Sequence, residues 1–319
     1  MIKGNKERIQ AIIKKFTRRI TLPGFGGIPL YDVAVFFIRG ILKGYITSRA
    51  AAISFSFFLA VFPFLIFLFT IIPFVPIANF QQTLLALLEE LMPGIAYDSV
   101  KATIIDVITR PRSGLLIFNF ILSLYFSTNG VNSLIEGFNS TYHDIETRST
   151  IRQYLVALLL VIILSFLLII SVGLITFGST IIDEIIPVSY ESSLFVFYTL
   201  LLFKWLLTVG LLLTAISFLY YLAPASHARF RFISTGSMLA TLLIICTTLG
   251  FNFYVDHFSQ YNALYGSICT LLVVMMWIYL NALSMLIGFE LNASIKIAGS
   301  GELLRTDDEV TKVSHGDKP

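Results

Sequence analysis

Polar side chains set inside long apolar runs are the residues of this chain that could do chemistry. One such run, Tyr265 to Ile297, reads YGSICTLLVVMMWIYLNALSMLIGFELNASIKI. At about 100° per residue, Asn281, Ser284, Gly288 and Asn292 share one face of a helix, and Glu290 points the opposite way. A buried amide without a partner is costly, so an Asn stripe in lipid should face other helices or a wet cavity. A second run, Gly114 to Ile135, carries Asn119, Ser123, Ser127 and Gly130 on one face. Asn129, Asn132, Ser133 and Glu136 lie on another, with Asn139 just beyond. Lys204 stands inside a further apolar run. The candidates for a substrate pathway or for helix packing are therefore Asn129, Asn132, Glu136, Asn139, Lys204, Asn281, Ser284, Gly288, Glu290 and Asn292.

Other chemistries find no support in the spacing. A nuclease needs metal-binding carboxylates or histidines, or a histidine pair for acid–base work. The histidines His143, His227, His257 and His315 are far apart in sequence, and no HxE, HxH or DxD cluster occurs. Neither a GxxxxGK[ST] phosphate loop nor a GxSxG elbow is present. Cys246 and Cys269 read as small apolar fillers rather than a disulfide or zinc site. The expectation is a protein that is not an enzyme, with no catalytic residues, no metal, no cofactor and no nucleic-acid partner.

The elements that must position the polar residues are membrane spans. The 319 residues are 56% hydrophobic and 13% charged, against about 25% charged in a soluble domain. Apolar runs of about 20 residues cross a bilayer as helices. The pattern predicts an all-α, polytopic membrane protein with six transmembrane helices at about 50–75, 114–135, 154–178, 194–222, 233–255 and 267–295. Pro63 removes a backbone hydrogen bond inside the first span and predicts a kink there. Residues 78–110, too charged to cross, read as an external helical hairpin split at Met92-Pro93-Gly94. Residues 298–319 read as a disordered cytoplasmic tail.

Residues 1–49 form a basic amphipathic segment. Ile9, Ile12, Ile13, Phe16 and Ile20 recur at helical spacing, LPGFGGIPL breaks the helix, and Val33, Phe36, Phe37 and Ile41 resume it. Both pieces suit interfacial helices on the headgroups, and the second also suits packing under the bundle. Six spans put both termini on one side. With that side cytoplasmic, its segments hold eighteen Lys/Arg: ten in 1–49, then Arg148, Arg152, Arg229, Arg231, Lys296, Arg305, Lys312 and Lys318. The outer segments hold three, Lys101, Arg110 and Arg112. That asymmetry predicts both termini in the cytoplasm.

Four pieces read together: SRAAAISFSFFLAVFPF, GVNSLIEGFNSTY, LAPASHARFRFISTGSMLA and YGSICTLLVVMMWIYLNALSMLIGFELNASI. Their order and spacing resemble the YihY/BrkB family of bacterial inner-membrane proteins over roughly residues 30–297. The resemblance implies six helices and a plasma-membrane location. The family's old label, ribonuclease BN, is generally regarded as a misassignment. Some members are linked with serum resistance or with lipopolysaccharide export.

Two functions fit these residues. One is a transporter or flippase for a lipid-linked or amphiphilic envelope molecule, motivated by the polar faces, Pro63 and Lys204. The other is a non-transporting scaffold that maintains the envelope, in which the Asn and Ser residues bind helix to helix and Lys204 snorkels to the interface. Membrane lipids are the expected partners under either, a lipid-like substrate under the first, and self-association is compatible with both.

Overall fold

The computed structural model describes residue 21 and residues 24–74, 111–140, 148–185, 194–225, 232–257 and 262–299. The amphipathic segment 5–20, the hairpin 78–110 and the tail from 300 onward lie outside the described residues. The described helices are α1 (Leu30–Lys43), α2 (Ile46–Ile71, closed by a 3-10 turn at Ile72–Phe74), α3 (Ser113–Asn139), α4 (Thr150–Ile185), α5 (Leu194–Leu222), α6 (Thr235–His257) and α7 (Asn262–Gly299). The helices α2 to α7 are long and apolar enough to cross a membrane. In lipid a helix satisfies its own backbone, which is why such runs become helices. Their outward faces carry large apolar side chains such as Ile169, Phe203, Leu206, Leu242 and Leu272, all more than half exposed. A soluble protein rarely shows so much contiguous apolar surface. Pro63 is carried inside α2, which is one continuous helix through it.

The six spans close into a ring. Each packs on its sequence neighbours, α7 returns to pack on α2, and α3 also reaches α7 across the ring. Helix α1 lies against α7 and touches α2. It buries Val33, Phe36 and Gly40, so residues 30–43 do pack on the bundle. Only Gly44 and Tyr45 separate α1 from α2, and Tyr45 turns the chain with φ 47°. Before α1, Gly24, Gly26 and Gly27 all adopt positive φ, which glycine tolerates without penalty. The turn they make lets Thr235 at the start of α6 donate to the Gly24 carbonyl at 3.3 Å.

Packing is unequal along the spans. The main apolar cluster takes Ile46, Ala50 and Ile53 from the start of α2, Leu134 and Phe138 from the end of α3, and Ala157 and Leu160 from the start of α4. It adds Ile216 and Tyr220 from the end of α5, Ala240 from the start of α6, and Leu286 and Phe289 from the second half of α7. Every one of these lies in the half of the ring nearest α1. Phe138 stacks on Phe289 with centroids 4.4 Å apart, and Tyr220 meets both rings edge-on. In the far half, α2 and α3 remain zipped, with Ala60, Pro63, Asn119 and Ser123 buried and Phe67 against Phe120. By contrast, no described side chain is buried in residues 162–174 of α4, 201–215 of α5 or 271–281 of α7.

Candidate functional site

The most buried charges bind α2, α3 and α7 together at the α1 end. Glu290 is fully buried and lies 3.7 Å from the Arg49 guanidinium, itself only 10% exposed. The other terminal nitrogen of Arg49 donates to the Gly137 carbonyl at 2.8 Å. Helix α1 covers the pair: a Cβ on Gly40 would overlap the Glu290 carboxylate, so this crossing requires glycine. Burying two charges is expensive, and their attraction offsets the cost only where both stay partnered. Ionisable residues inside membrane spans are for that reason rare and tend to be functional.

The stripe on the other side of α7 is a packing seam with α6. Gly288 and Gly236 sit face to face, and a Cβ on either would collide with the opposite backbone carbonyl. Next to them, Asn292 Oδ1 accepts the Gly236 amide at 2.8 Å, and its Nδ2 donates to the Ser234 hydroxyl at 2.7 Å. Asn292 thus satisfies an N–H in the first turn of α6, one of the groups a helix start leaves without an intrahelical partner. Higher up, the Ser284 and Thr247 hydroxyls approach to 3.5 Å. Asn281, partly exposed, donates to the Trp277 carbonyl of its own helix. Tyr220 closes the same region from α5 by donating to the Met285 carbonyl.

The polar face of α3 meets α4. Gln153 donates to Asn132 Oδ1 at 2.9 Å, and Asn132 donates to Glu136 at 2.8 Å, so a buried amide pair leads to an exposed carboxylate. Asn129 accepts from Tyr154 at 3.0 Å. Asn139 is buried and accepts the Ala225 amide at 3.3 Å. Nearby, Arg148 ties α4 to the end of α5 by donating to the carbonyls of Leu222 and Pro224. Burial pushes the Arg148 guanidinium below its ordinary value, but arginine keeps its charge in proteins.

The candidates therefore do not converge on one chamber. Asn132, Asn139, Ser284, Gly288, Glu290 and Asn292 hold helix to helix in the closed half. Lys204 stands apart in the far half of α5, half-buried, between the strongly exposed Phe203 and Trp205. The carboxylates of the polar runs, Glu290 and Glu136, are engaged at the other end of the ring, Glu290 by Arg49 and Glu136 by Asn132. An open cleft of about 540 Å³ does exist between α6 and α7, lined by Phe251, Asn252, Val255, Val273, Val274 and Trp277. None of Asn129, Asn132, Asn281 or Lys204 lines it. No group of three or more metal-ligating side chains occurs among the described residues.

Sequence reasoning passed over Arg49, Gly40, Gln153 and Gly236. Arg49 counted only as one of many basic residues before the first span. A signal for its role was present: in a six-span chain the start of the first helix and the end of the last share one side. A cation at Arg49 and an anion at Glu290 are thereby brought to the same end.

Comparison with known proteins agrees with this architecture. The pattern of the family described as "Virulence factor BrkB" matches residues 37–309. A ribonuclease-like protein of Bacillus subtilis (strain 168), YfkH, is 31% identical over 246 residues, covering 77% of this chain and 88% of its own length. UPF0761 membrane protein NTHI0384 of Haemophilus influenzae (strain 86-028NP) is 19% identical over 285 residues, covering 85% of this chain and 98% of its own. UPF0761 membrane protein PSHAa0171 of Pseudoalteromonas translucida (strain TAC 125) is 33% identical over 110 residues, 34% of this chain and 37% of its own. No solved structure matches the chain. With a family pattern spanning most of its length and six apolar spans behind it, the chain is a multi-pass membrane protein that belongs to the BrkB family.

Proposed function

We propose that this protein transports or flips a lipid-linked or amphiphilic envelope molecule across the bacterial inner membrane, with both termini and the α1 end in the cytoplasm. The observation that carries the reading is the unequal packing. The α1 half is closed by the Arg49–Glu290 pair and the Phe138–Phe289–Tyr220 cluster. In the opposite half no described side chain is buried over 162–174 of α4, 201–215 of α5 or 271–281 of α7, and a cleft between α6 and α7 is open. A molecule whose chain belongs in lipid and whose head belongs in water needs such a lateral opening. The reading assigns no catalytic residue and no cofactor, and its partners are lipids rather than nucleic acid. Self-association through the lipid-facing helices is compatible with it.

The scaffold reading keeps one observation in its favour: most of the polar stripe residues spend their hydrogen bonds holding helices together. Leaflet-resolved lipidomics of deletion and wild-type strains separates the two. Transport predicts that an amphiphile accumulates in the cytoplasmic leaflet of the deletion strain and returns to normal on complementation. An unchanged distribution beside a damaged envelope supports the scaffold.

A further inference from the structure

Helices α6 and α7 run antiparallel and make their closest backbone contact at the α1 end. Gly236 and Gly288 bring the two backbones into contact near α1, and Ala240 packs on Gly288 just above. The hydroxyls of Thr247 and Ser284 then meet at 3.5 Å. Beyond that point, side chains from about one turn of each helix line the open cleft of about 540 Å³. Five of the six lining residues are apolar, and the sixth, Asn252, is exposed. The flanking surfaces, Leu249, Phe253 and Leu272, are apolar and exposed, and both helices lie within membrane-spanning stretches. What reaches such a cleft is therefore the hydrocarbon of the bilayer.

We propose that the α6–α7 cleft is a binding site for one acyl chain of an amphiphile, entered sideways from the leaflet opposite α1. Phe251 and Trp277 line it on the side of the Thr247–Ser284 contact, and Val255, Val273 and Val274 line it further along the helices. Asn252 lies five residues before His257, the last residue of α6, which is about 7.5 Å from the helix end. In the proposed site this places Asn252 beside the linkage between chain and headgroup. Its amide hydrogen-bonds an ester, amide or glycosidic oxygen there. A concave, mostly apolar wall with a single polar group is the usual make-up of a ligand site, and it orients a chain that a convex helix surface leaves to exchange freely. The assignment deepens the transport reading by naming the part of the substrate that is gripped. Binding in vitro is a separate measurement from transport in cells, so either can fail alone.

The test uses the full chain in nanodiscs containing a phospholipid with a photoactivatable group in its acyl chain near the ester, with peptide mapping of the adducts. Adducts should concentrate on residues 251–255 and 273–277, saturate with dose, and fall when an unreactive phospholipid competes. Filling the cleft with Val255→Phe and Val273→Phe should weaken saturable labelling about tenfold, equivalent to about 1.4 kcal/mol. Leu249→Phe and Leu272→Phe, which place the same ring on the outer surface, should leave it unchanged. Asn252→Leu should cost about fivefold, the size of one net hydrogen bond, and should leave labelling by a photoactivatable hydrocarbon without a headgroup unaffected. Adducts spread evenly over the exposed faces of α5, α6 and α7 without saturation would overturn the site. So would labelling that survives in a filled variant whose gel-filtration profile and helicity match the parent.

Discussion

Arg49 and Glu290 carry the largest single electrostatic commitment among the described residues. Each is expensive to bury alone, and each is held by the other. Removing one partner of a buried pair costs about 3–5 kcal/mol, whereas replacing both by apolar groups of similar size is often neutral or better. Glu290→Gln and Arg49→Met should therefore each lower thermal stability in detergent, and Arg49→Met/Glu290→Met should recover most of the loss. Additive losses in that double-mutant cycle would mean that the two side chains are energetically independent. Lys204 calls for a different measurement, because Glu290 and Glu136 are engaged at the other end of the ring. A lysine deep in a span costs roughly 2.5–3.5 kcal/mol on insertion scales, so Lys204→Met should leave the fold intact or firmer. If the ammonium meets an anionic headgroup, Lys204→Met abolishes complementation of a deletion strain and Lys204→Arg retains part of it. Full complementation by Lys204→Met at native expression reduces the residue to a snorkelling lysine. At this scale the sequence was only half legible. Periodicity placed Glu290 and the Asn stripe on opposite sides of one helix, but which helix faced each side is a matter of ring order, which no single span encodes. That is why Arg49 was missed as a partner, and why Asn281 read as equivalent to Asn292 although among the described residues it bonds its own helix's backbone.

The helices themselves were legible because hydropathy and length decide them one at a time. Their contacts were less so. Small residues in the last span announced a close approach, yet Gly236, the other half of that approach, lies in a stretch where glycine and serine look like an ordinary helix start. The seam now makes a sharp prediction. Gly288→Leu and Gly236→Leu each drive a side chain into the opposing backbone, and overpacking of this kind costs about 1–3 kcal/mol or more. Both should reduce the yield of monodisperse protein, while Leu283→Ile, one position off the stripe, should not. Normal expression and function of Gly288→Leu would sink the view that this face is buried. Helix α1 offers a parallel case. Its apolar spacing fitted both a headgroup location and packing on the bundle, and the choice turned on Gly40, whose missing Cβ admits the Glu290 carboxylate. Gly40→Val should lift α1 and speed tryptic cleavage at Arg39 and Lys43, which are exposed on its outer side.

For the whole molecule, the decisive property is polarity: among the described residues the main buried cluster lies at the α1 end of the ring. Basic residues follow the same axis, crowding the segments on the α1 side and thinning on the far side. Positive charge near the spans is retained in the cytoplasm, so the closed end should be the cytoplasmic one and the α6–α7 cleft should open toward the outer leaflet. Single cysteines in a Cys246→Ser/Cys269→Ser background test this directly. Ser189→Cys and Gln260→Cys, between spans on the far side, should react with a membrane-impermeant maleimide on intact spheroplasts. Ile145→Cys and Ala228→Cys, between spans on the α1 side, should react only after permeabilisation. The reverse pattern would turn the molecule over and send the cleft to the cytoplasmic leaflet. The packing and the acyl-chain site would survive that outcome, but the direction of transport and the identity of the closed gate would exchange. Labelling of all four from outside would instead mean that some of the six apolar helices do not cross, and the ring could not then be a transmembrane bundle.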